Sequence, residues 1–138
     1  MNARIAPLRG HALQPARVAL LGTGTVGSAV WARLASWAEQ ASSGHPLAGR
    51  LSLVHVANSR YAISNRNGIA ADTGELLLRN APHASSLDAV ADGLSGTGTR
   101  IVIDATASEE VAERHAQWLA GGIHVVTACK LGQGASLS

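Results

Sequence analysis

Three glycines near the N-terminus have the spacing of a phosphate-binding turn. Gly22, Gly24 and Gly27 follow the apolar run Val18 to Leu21 and precede residues with helical periodicity. In such a strand–turn–helix, the first glycine permits the tight turn, the second lets the backbone approach a pyrophosphate, and the third lets the helix lie close to the strand. The positive end of the helix would face the phosphates. Because the chain has 15 glycines, the surrounding elements must support this interpretation.

A second group of candidate residues follows a predicted strand at Leu51–Ala57. The strand ends at Asn58, Ser59 and Arg60. NAD-selective domains place an acidic residue at this strand end, where it accepts hydrogen bonds from the adenosine ribose. No acid is present here, and a hydroxyl beside a guanidinium suits a 2′-phosphate instead. The sequence therefore predicts NADP as the cofactor, with NAD possible; the alternative is that Arg60 is a solvated loop residue.

A third group follows the predicted strand Arg100–Ala105. The small residues Thr106, Ala107 and Ser108 come directly after it. Ligands of open α/β sheets bind outside the carboxyl ends of the strands, so this segment is expected to face the nicotinamide end of the cofactor. Asp104 lies within the strand, and we interpret it as orienting the backbone or a neighbouring loop rather than as a catalytic acid.

The elements around these groups alternate between strand and helix. The first helix is predicted to begin near Thr25 or Val26 and to bury one stripe, with Trp31 and Arg33 outside it. That stripe comprises Val26, Val30, Leu34, Trp37 and Ala41. Residues 61–81 have an irregular pattern and are predicted to form a loop with a short helix at 73–78. Further helices are predicted from Ser85 or Ser86 to Leu94 and from Glu109 to Ala120, and a last strand at 123–127. The buried face of the helix at 109–120 is predicted to comprise Val111, His115, Trp118 and Leu119. This alternation predicts an α/β fold, a Rossmann-like doubly wound parallel sheet in a single domain.

Composition excludes several classes of protein. With 46% hydrophobic and 14% charged residues, the chain is not disordered, and no segment approaches the about 20 apolar residues of a membrane span. Residues 1–15 lack the apolar centre of a signal peptide and are interpreted as a flexible leader. The single cysteine favours a reducing, cytoplasmic location. Scattered arginines give no nucleic-acid surface, and no metal-ligand spacing occurs.

Four blocks of this sequence, in this order, resemble the nucleotide-binding domain of homoserine dehydrogenases. They are Gly22–Gly27, Val56–Ser59, Ile101–Ser108 and Gly122–Thr127, the last leading to a lysine. The resemblance covers residues 16–132 and is closest to the dehydrogenase part of bifunctional aspartokinase–homoserine dehydrogenases. It implies an NAD(P)-dependent oxidoreductase that reversibly reduces aspartate 4-semialdehyde to homoserine, on the route to threonine and methionine.

The resemblance also implies a role for each block. The backbone from Gly22 to Gly27, including Thr25 and Val26, would hold the pyrophosphate. The segment of Asn58, Ser59 and Arg60 would hold the adenosine ribose or its 2′-phosphate. The segment from Ala105 to Ser108 would lie on the nicotinamide side.

Lys130, the only lysine of the chain, matches a family lysine that lies beside cofactor and substrate. The resemblance implies that it is catalytic, binding a polar group of the substrate or helping to move the hydroxyl proton. The alternative is a solvated lysine after a strand. Cys129 stands where the family usually has asparagine, and a thiol is a weaker hydrogen-bond donor.

The family's substrate-binding and dimerising domain follows the nucleotide-binding domain. We therefore expect residues 133–138 to begin a linker to that domain, the 138 residues alone to be inactive, and the longer enzyme to be a homo-oligomer acting on a small-molecule substrate. Two alternatives remain open at this stage. The chain could be a non-catalytic module that binds or senses a dinucleotide, or part of a related amino-acid dehydrogenase of the same architecture.

Overall fold

The fold is a five-stranded, mostly parallel sheet with helices on both faces. The computed structural model describes residues 15–39, 50–69 and 84–128. The strands are β1 (Ala16–Leu21), β2 (Leu51–Ala57), β3 (Ala62–Ser64), β4 (Arg100–Asp104) and β5 (His124–Thr127), in the spatial order β3-β2-β1-β4-β5. All neighbouring strands are parallel except β3, which is antiparallel to β2. The helices are α1 (Thr25–Glu39), α2 (Ala89–Gly93) and α3 (Glu109–Ala120).

The chain winds in opposite directions from β1, which confirms the predicted Rossmann-like α/β fold. Helix α1 connects β1 to β2 on one face of the sheet, and α3 connects β4 to β5 on the other. Both faces of the central strands are covered, so most of their buried residues are apolar on either face rather than on one face alone. The core on the α1 face comprises Val18, Leu20, Trp31, Leu34, Leu53 and Val56. The core on the α2 and α3 face includes Ala19, Leu21, Val54, Val90, Leu94, Val102, Val111 and Trp118.

The buried stripe of α1 differs from the prediction in two residues, one that is buried and one that is exposed. Trp31, expected outside the stripe, is 4% exposed, whereas Val26, expected inside it, is 38% exposed. The buried residues of the helix are Gly27, Trp31 and Leu34, which have the helical spacing of four and three. The predicted Val30 and Trp37 pack half-buried against the same core. Gly27 lies against the turn at Gly22 and thereby sets the rotation of the helix. A hydrophobicity pattern misses this because it gives glycine no weight.

Other element boundaries also differ from the prediction. Strand β3 lies in the segment expected to be irregular. Helix α2 begins only at Ala89, after the turn at 87–88. Leu119 is 56% exposed and so does not belong to the buried face of α3. The final strand begins at His124 rather than at residue 123. Several expectations lie outside the described residues: the leader except its last residue, Ala41, the helix at 73–78, Cys129, Lys130 and the linker at 133–138.

A histidine is buried beneath α2. His55 on β2 is 2% exposed; its Nδ1 lies 2.6 Å from the Ser64 hydroxyl on β3. Its Nε2 is buried without a partner among the described residues. A Cβ on Gly93 would lie 2.6 Å from Nδ1, so this glycine allows α2 to rest on the ring. Burial lowers the pKa of His55 below its usual 6.5.

This lowered pKa makes stability depend on pH. Above about pH 6.5 the ring is neutral in both states, whereas at lower pH the unfolded chain binds a proton that the folded chain does not. The free energy of unfolding is therefore expected to fall as the pH falls below that value. Thermal unfolding at pH 7.5 and pH 5.5 measures the effect, which is expected to diminish in His55→Gln. The exposed His124 provides the control: His124→Gln is expected to keep the wild-type pH dependence, and equal dependence in both variants would contradict the assignment to His55.

Candidate functional site

The glycine turn after β1 is held tightly by the strands on either side. The Gly22 N–H donates to Ala57 O at 2.8 Å, and the Ala105 N–H donates to Leu21 O at the same distance. Gly22 has a φ of +97°, which side chains rarely adopt, and a Cβ there would lie 2.8 Å from Ala105 O. A Cβ on Gly27 would lie 1.9 Å from Gly22 O. The fold itself therefore requires glycine at both positions.

Gly24 differs from its two neighbours in the motif. A Cβ built on Gly24 meets no atom within 4 Å, and its φ is not positive. Neither packing nor backbone conformation requires glycine here. An open backbone at the second glycine position is what a closely approaching pyrophosphate needs. The residues present therefore fit a dinucleotide.

The N-terminus of α1 begins immediately after this open backbone. The first intrahelical bond is donated by the Ser28 N–H to Gly24 O at 2.8 Å, and the first turn contains no acidic residue. Thr25 and Val26 are exposed there. Free N–H groups and the positive end of a helix of this length favour an anion such as a phosphate.

The end of β2 is shaped by Asn58. Its Oδ1 accepts hydrogen bonds from the backbone N–H groups of Arg60 at 2.8 Å and Tyr61 at 2.7 Å, which turns the chain back into β3. The Asn58 side-chain oxygen is thus used within the loop. Ser59 and Arg60 are both exposed beside it.

The end of β4 is organised by Asp104, as the sequence predicted. This carboxylate is 3% exposed. Its Oδ1 accepts from the Thr106 N–H at 2.9 Å and from the Thr106 hydroxyl at 2.6 Å, while its Oδ2 lies 2.8 Å from His115 Nε2. Asp104 thereby joins the strand, the following loop and α3. His115 is the packing residue that was expected, with its ring centroid 6.1 Å from that of Trp118.

The rest of the predicted nicotinamide segment leads into α3. The Ser108 Oγ accepts a hydrogen bond from the Val111 N–H at 3.2 Å, so Ser108 caps the helix. Ala105 and Thr106 are half-buried, whereas Ala107 and Ser108 are exposed. The backbone at 105–108 is therefore fixed at both ends, by Asp104 and by the helix cap.

A cleft of about 430 Å³ lies where the carboxyl ends of β1, β2 and β4 meet. This is the point at which the winding direction reverses, where ligands of such sheets bind. Five of the predicted residues line the cleft: Gly22, Asn58, Ser59, Thr106 and Ser108. Gly24, Thr25, Val26, Arg60, Ala105 and Ala107 are not among its lining residues, and Gly27 is buried below the turn.

The other side of the cleft was missed at the sequence level. It is formed by Ser85, Ser86, Leu87, Asp88, Glu110, Val111 and Arg114. These residues belong to two segments with no recognisable motif, and only the packing of α2 beside α3 brings them together. Within the part of the chain that the structure describes, no cluster of metal-ligating side chains occurs, and no helix is long and apolar enough to cross a membrane.

Residues 22–133 match the family model described as homoserine dehydrogenase, NAD binding domain. No curated protein sequence is significantly similar to the chain.

Solved structures share the fold. A homoserine dehydrogenase from Thermoplasma acidophilum has a TM-score of 0.61 at 21% identity, over 86% of this chain and 36% of that one. A putative homoserine dehydrogenase from Archaeoglobus fulgidus has a TM-score of 0.62 at 22% identity, over 88% and 37%. A Candida auris protein of unknown function has a TM-score of 0.63 at 24% identity, over 84% and 31%. The chain spans about a third of the length of these structures.

Proposed function

Because the chain belongs to the homoserine dehydrogenase family through its NAD-binding domain, we propose that it is the cofactor-binding part of a homoserine dehydrogenase. The proposed reaction is the reversible reduction of aspartate 4-semialdehyde to homoserine with NADPH. The observation that carries this proposal is the open backbone at Gly24, which lies at the positive end of α1 although nothing in the fold requires glycine there.

In this proposal the described residues bind and orient the dinucleotide. The backbone from Gly22 to Gly27 and the first turn of α1 hold the pyrophosphate, and Ser59 at the end of β2 contacts the adenosine ribose. Thr106, fixed by Asp104, presents the loop at 105–108 to the nicotinamide. When bound, the cofactor supplies the hydride. Holding it against a rigid loop reduces the entropy lost on reaching the reactive geometry.

Lys130 is the proposed catalytic residue, through the family resemblance of its position after β5. It lies outside the described residues. An ammonium group at the carboxyl end of β5 can bind a polar substrate group and stabilise the developing alkoxide. The substrate and the remaining catalytic groups are assigned to a further domain of the enzyme, since the matched part of this chain covers only 36% and 37% of the homoserine dehydrogenase structures that share the fold.

Two assays test the proposed reaction. The 138-residue chain is expected to bind the cofactor without oxidising homoserine, and the product of the complete reading frame is expected to reduce NADP at 340 nm when homoserine is added. A Lys130→Met variant of that product is expected to lose at least about 100-fold in kcat, the scale of one general acid–base or electrostatic group. Turnover by the 138 residues alone, or none by the complete product, would contradict the proposal.

The preference for NADP is proposed to depend on Arg60. Its guanidinium is exposed next to Ser59, where a planar set of donors can bind a 2′-phosphate in two-point fashion. In Arg60→Ala the affinity for NADPH is expected to fall about tenfold, the scale of one exposed charge-assisted contact, while the affinity for NADH stays unchanged. Titration calorimetry with both cofactors measures this. The matched control is Arg66→Ala, an exposed arginine of the turn after β3, and an equal loss in both variants would contradict the assignment.

A further inference from the structure

An ion pair forms part of the lining of the cleft. Arg114 on α3 donates through Nη1 to Asp88 Oδ1 at 2.7 Å, and both residues line the cleft. The Asp88 side chain is 83% exposed and that of Arg114 29%. The Asp88 carboxylate thus stays mostly open to solvent at the cleft while it pairs with Arg114.

Asp88 precedes helix α2 but does not cap it with its side chain. It is the N-cap residue of α2, where aspartate usually accepts a backbone hydrogen bond from the helix, but it makes no such bond. Its carboxylate is turned towards α3 instead. The Oδ2 atom has no partner among the described residues, and Arg114 has further N–H donors beside the one that it gives to Asp88.

The pair therefore offers an acceptor and a donor side by side. The edge of an adenine ring has the complementary arrangement, an exocyclic amino group that donates beside a ring nitrogen that accepts. Hypoxanthine reverses part of this pattern, because a carbonyl replaces the amino group and the neighbouring ring nitrogen carries a proton. Leu87 and Val111 line the cleft next to the pair and give the flat faces of a base apolar contact.

The expected ribose contact and the ion pair belong to one cleft. In the proposed function, on which this step rests, the pyrophosphate lies at Gly22 to Gly27 and the ribose at Ser59. Ser59, the segment 85–88 and Arg114 line the same cleft, so a base attached to that ribose shares the cleft with the pair. We propose that Asp88 and Arg114 recognise the base of the dinucleotide and select adenine over hypoxanthine.

Glu110 provides a control for the loss of a carboxylate from the cleft. It is the other carboxylate that lines the cleft, but it lies in the first turn of α3, where negative charge stabilises the helix end. No cation is paired with it among the described residues. Removing Glu110 changes the charge of the cleft as much as removing Asp88 does, without touching the donor–acceptor pair.

The test compares NADPH with its hypoxanthine counterpart by titration calorimetry on the 138-residue chain. The wild type is expected to bind NADPH at least about tenfold more tightly, the discrimination that one two-point base contact provides. In Asp88→Ala the ratio of the two affinities is expected to fall to about one, whereas Glu110→Ala is expected to keep the wild-type ratio. Asp88 is mostly exposed, and an unchanged melting temperature verifies that its variant is folded.

The other possible results of this experiment would contradict base recognition, its assignment to the ion pair, or the proposed function. Equal affinity of the wild type for the two dinucleotides would overturn base recognition and leave the proposed function standing. An unchanged ratio in Asp88→Ala, or an equal loss of the ratio in Glu110→Ala, would overturn the assignment to the ion pair. Failure of the wild type to bind either dinucleotide would overturn the proposed function itself, and base recognition with it.

Discussion

Gly27→Ala is expected to lower the melting temperature of the chain by about 10 °C. The added Cβ would lie 1.9 Å from Gly22 O and 2.6 Å from the carbonyl carbon of Gly22. Both atoms belong to the backbone of a turn that hydrogen bonds fix to β2, so they cannot rotate away. Helix α1 must therefore move off the sheet and loosen the packing of Trp31 and Leu34. Overpacking of this kind costs about 3 kcal/mol. Thermal unfolding followed by circular dichroism measures the loss.

The matched control is Gly24→Ala in the same motif. Its Cβ enters open space, and the backbone conformation there is one that alanine adopts readily. The melting temperature of this variant is expected to stay within about 2 °C of wild type, since surface substitutions change stability by about 0.5 kcal/mol at most. Equal melting temperatures for the two variants would contradict the close packing of Gly27 on the turn.

Asp104→Ala is expected to lower the free energy of unfolding by about 3 kcal/mol, because removing this buried side chain leaves its hydrogen-bond partners unpaired. The partners are the N–H and hydroxyl of Thr106 and the ring of His115. The loss of these bonds also releases the loop at 105–108, so the affinity for the dinucleotide is expected to fall with the stability. Urea unfolding and titration calorimetry measure the two effects.

Asp104→Asn keeps the shape of the side chain but replaces the carboxyl group with a neutral amide. The amide retains an oxygen for Thr106, and its nitrogen can donate to His115 in the tautomer whose Nε2 accepts. The expected loss of stability is therefore only about 1 kcal/mol, the scale of a neutral hydrogen bond. If asparagine and alanine destabilise the protein equally, the hydrogen bonds assigned to Asp104 do not hold the loop.

The sequence predicted the parts of the fold that depend on local pattern. The apolar run before Gly22, the strand at 100–104 and the helix at 109–120 each contain their own signal, and all were found close to the predicted positions. The placement of Trp31 was wrong because the rotation of α1 depends on a backbone contact at Gly27. Contacts of this kind have no hydrophobic signature. Strand β3 was missed because three residues are too few to establish a period.

The sequence likewise predicted one part of the candidate site and missed another. Its motif-bearing side, from Gly22 to Ser59 and Thr106, was recognisable because the physical demands of phosphate binding restrict the residue types. The opposite side, with Asp88 and Arg114, was missed. The two residues are 26 positions apart, and ordinary helix-surface residues of these types occur throughout any sequence. Only the packing of α2 and α3 on one face of the sheet places them on a common cleft.

In the proposed function a nicotinamide dinucleotide binds with its pyrophosphate against the backbone at Gly24. Titration calorimetry of the 138-residue chain with NADPH, beside a Gly24→Val variant, tests it most directly. The wild type is expected to show saturable binding with one site per chain. The variant is expected to keep the wild-type melting temperature and to lose binding, because its side chain fills the space that the pyrophosphate occupies. Absence of binding by the wild type, or equal binding by the folded variant, would contradict the claim.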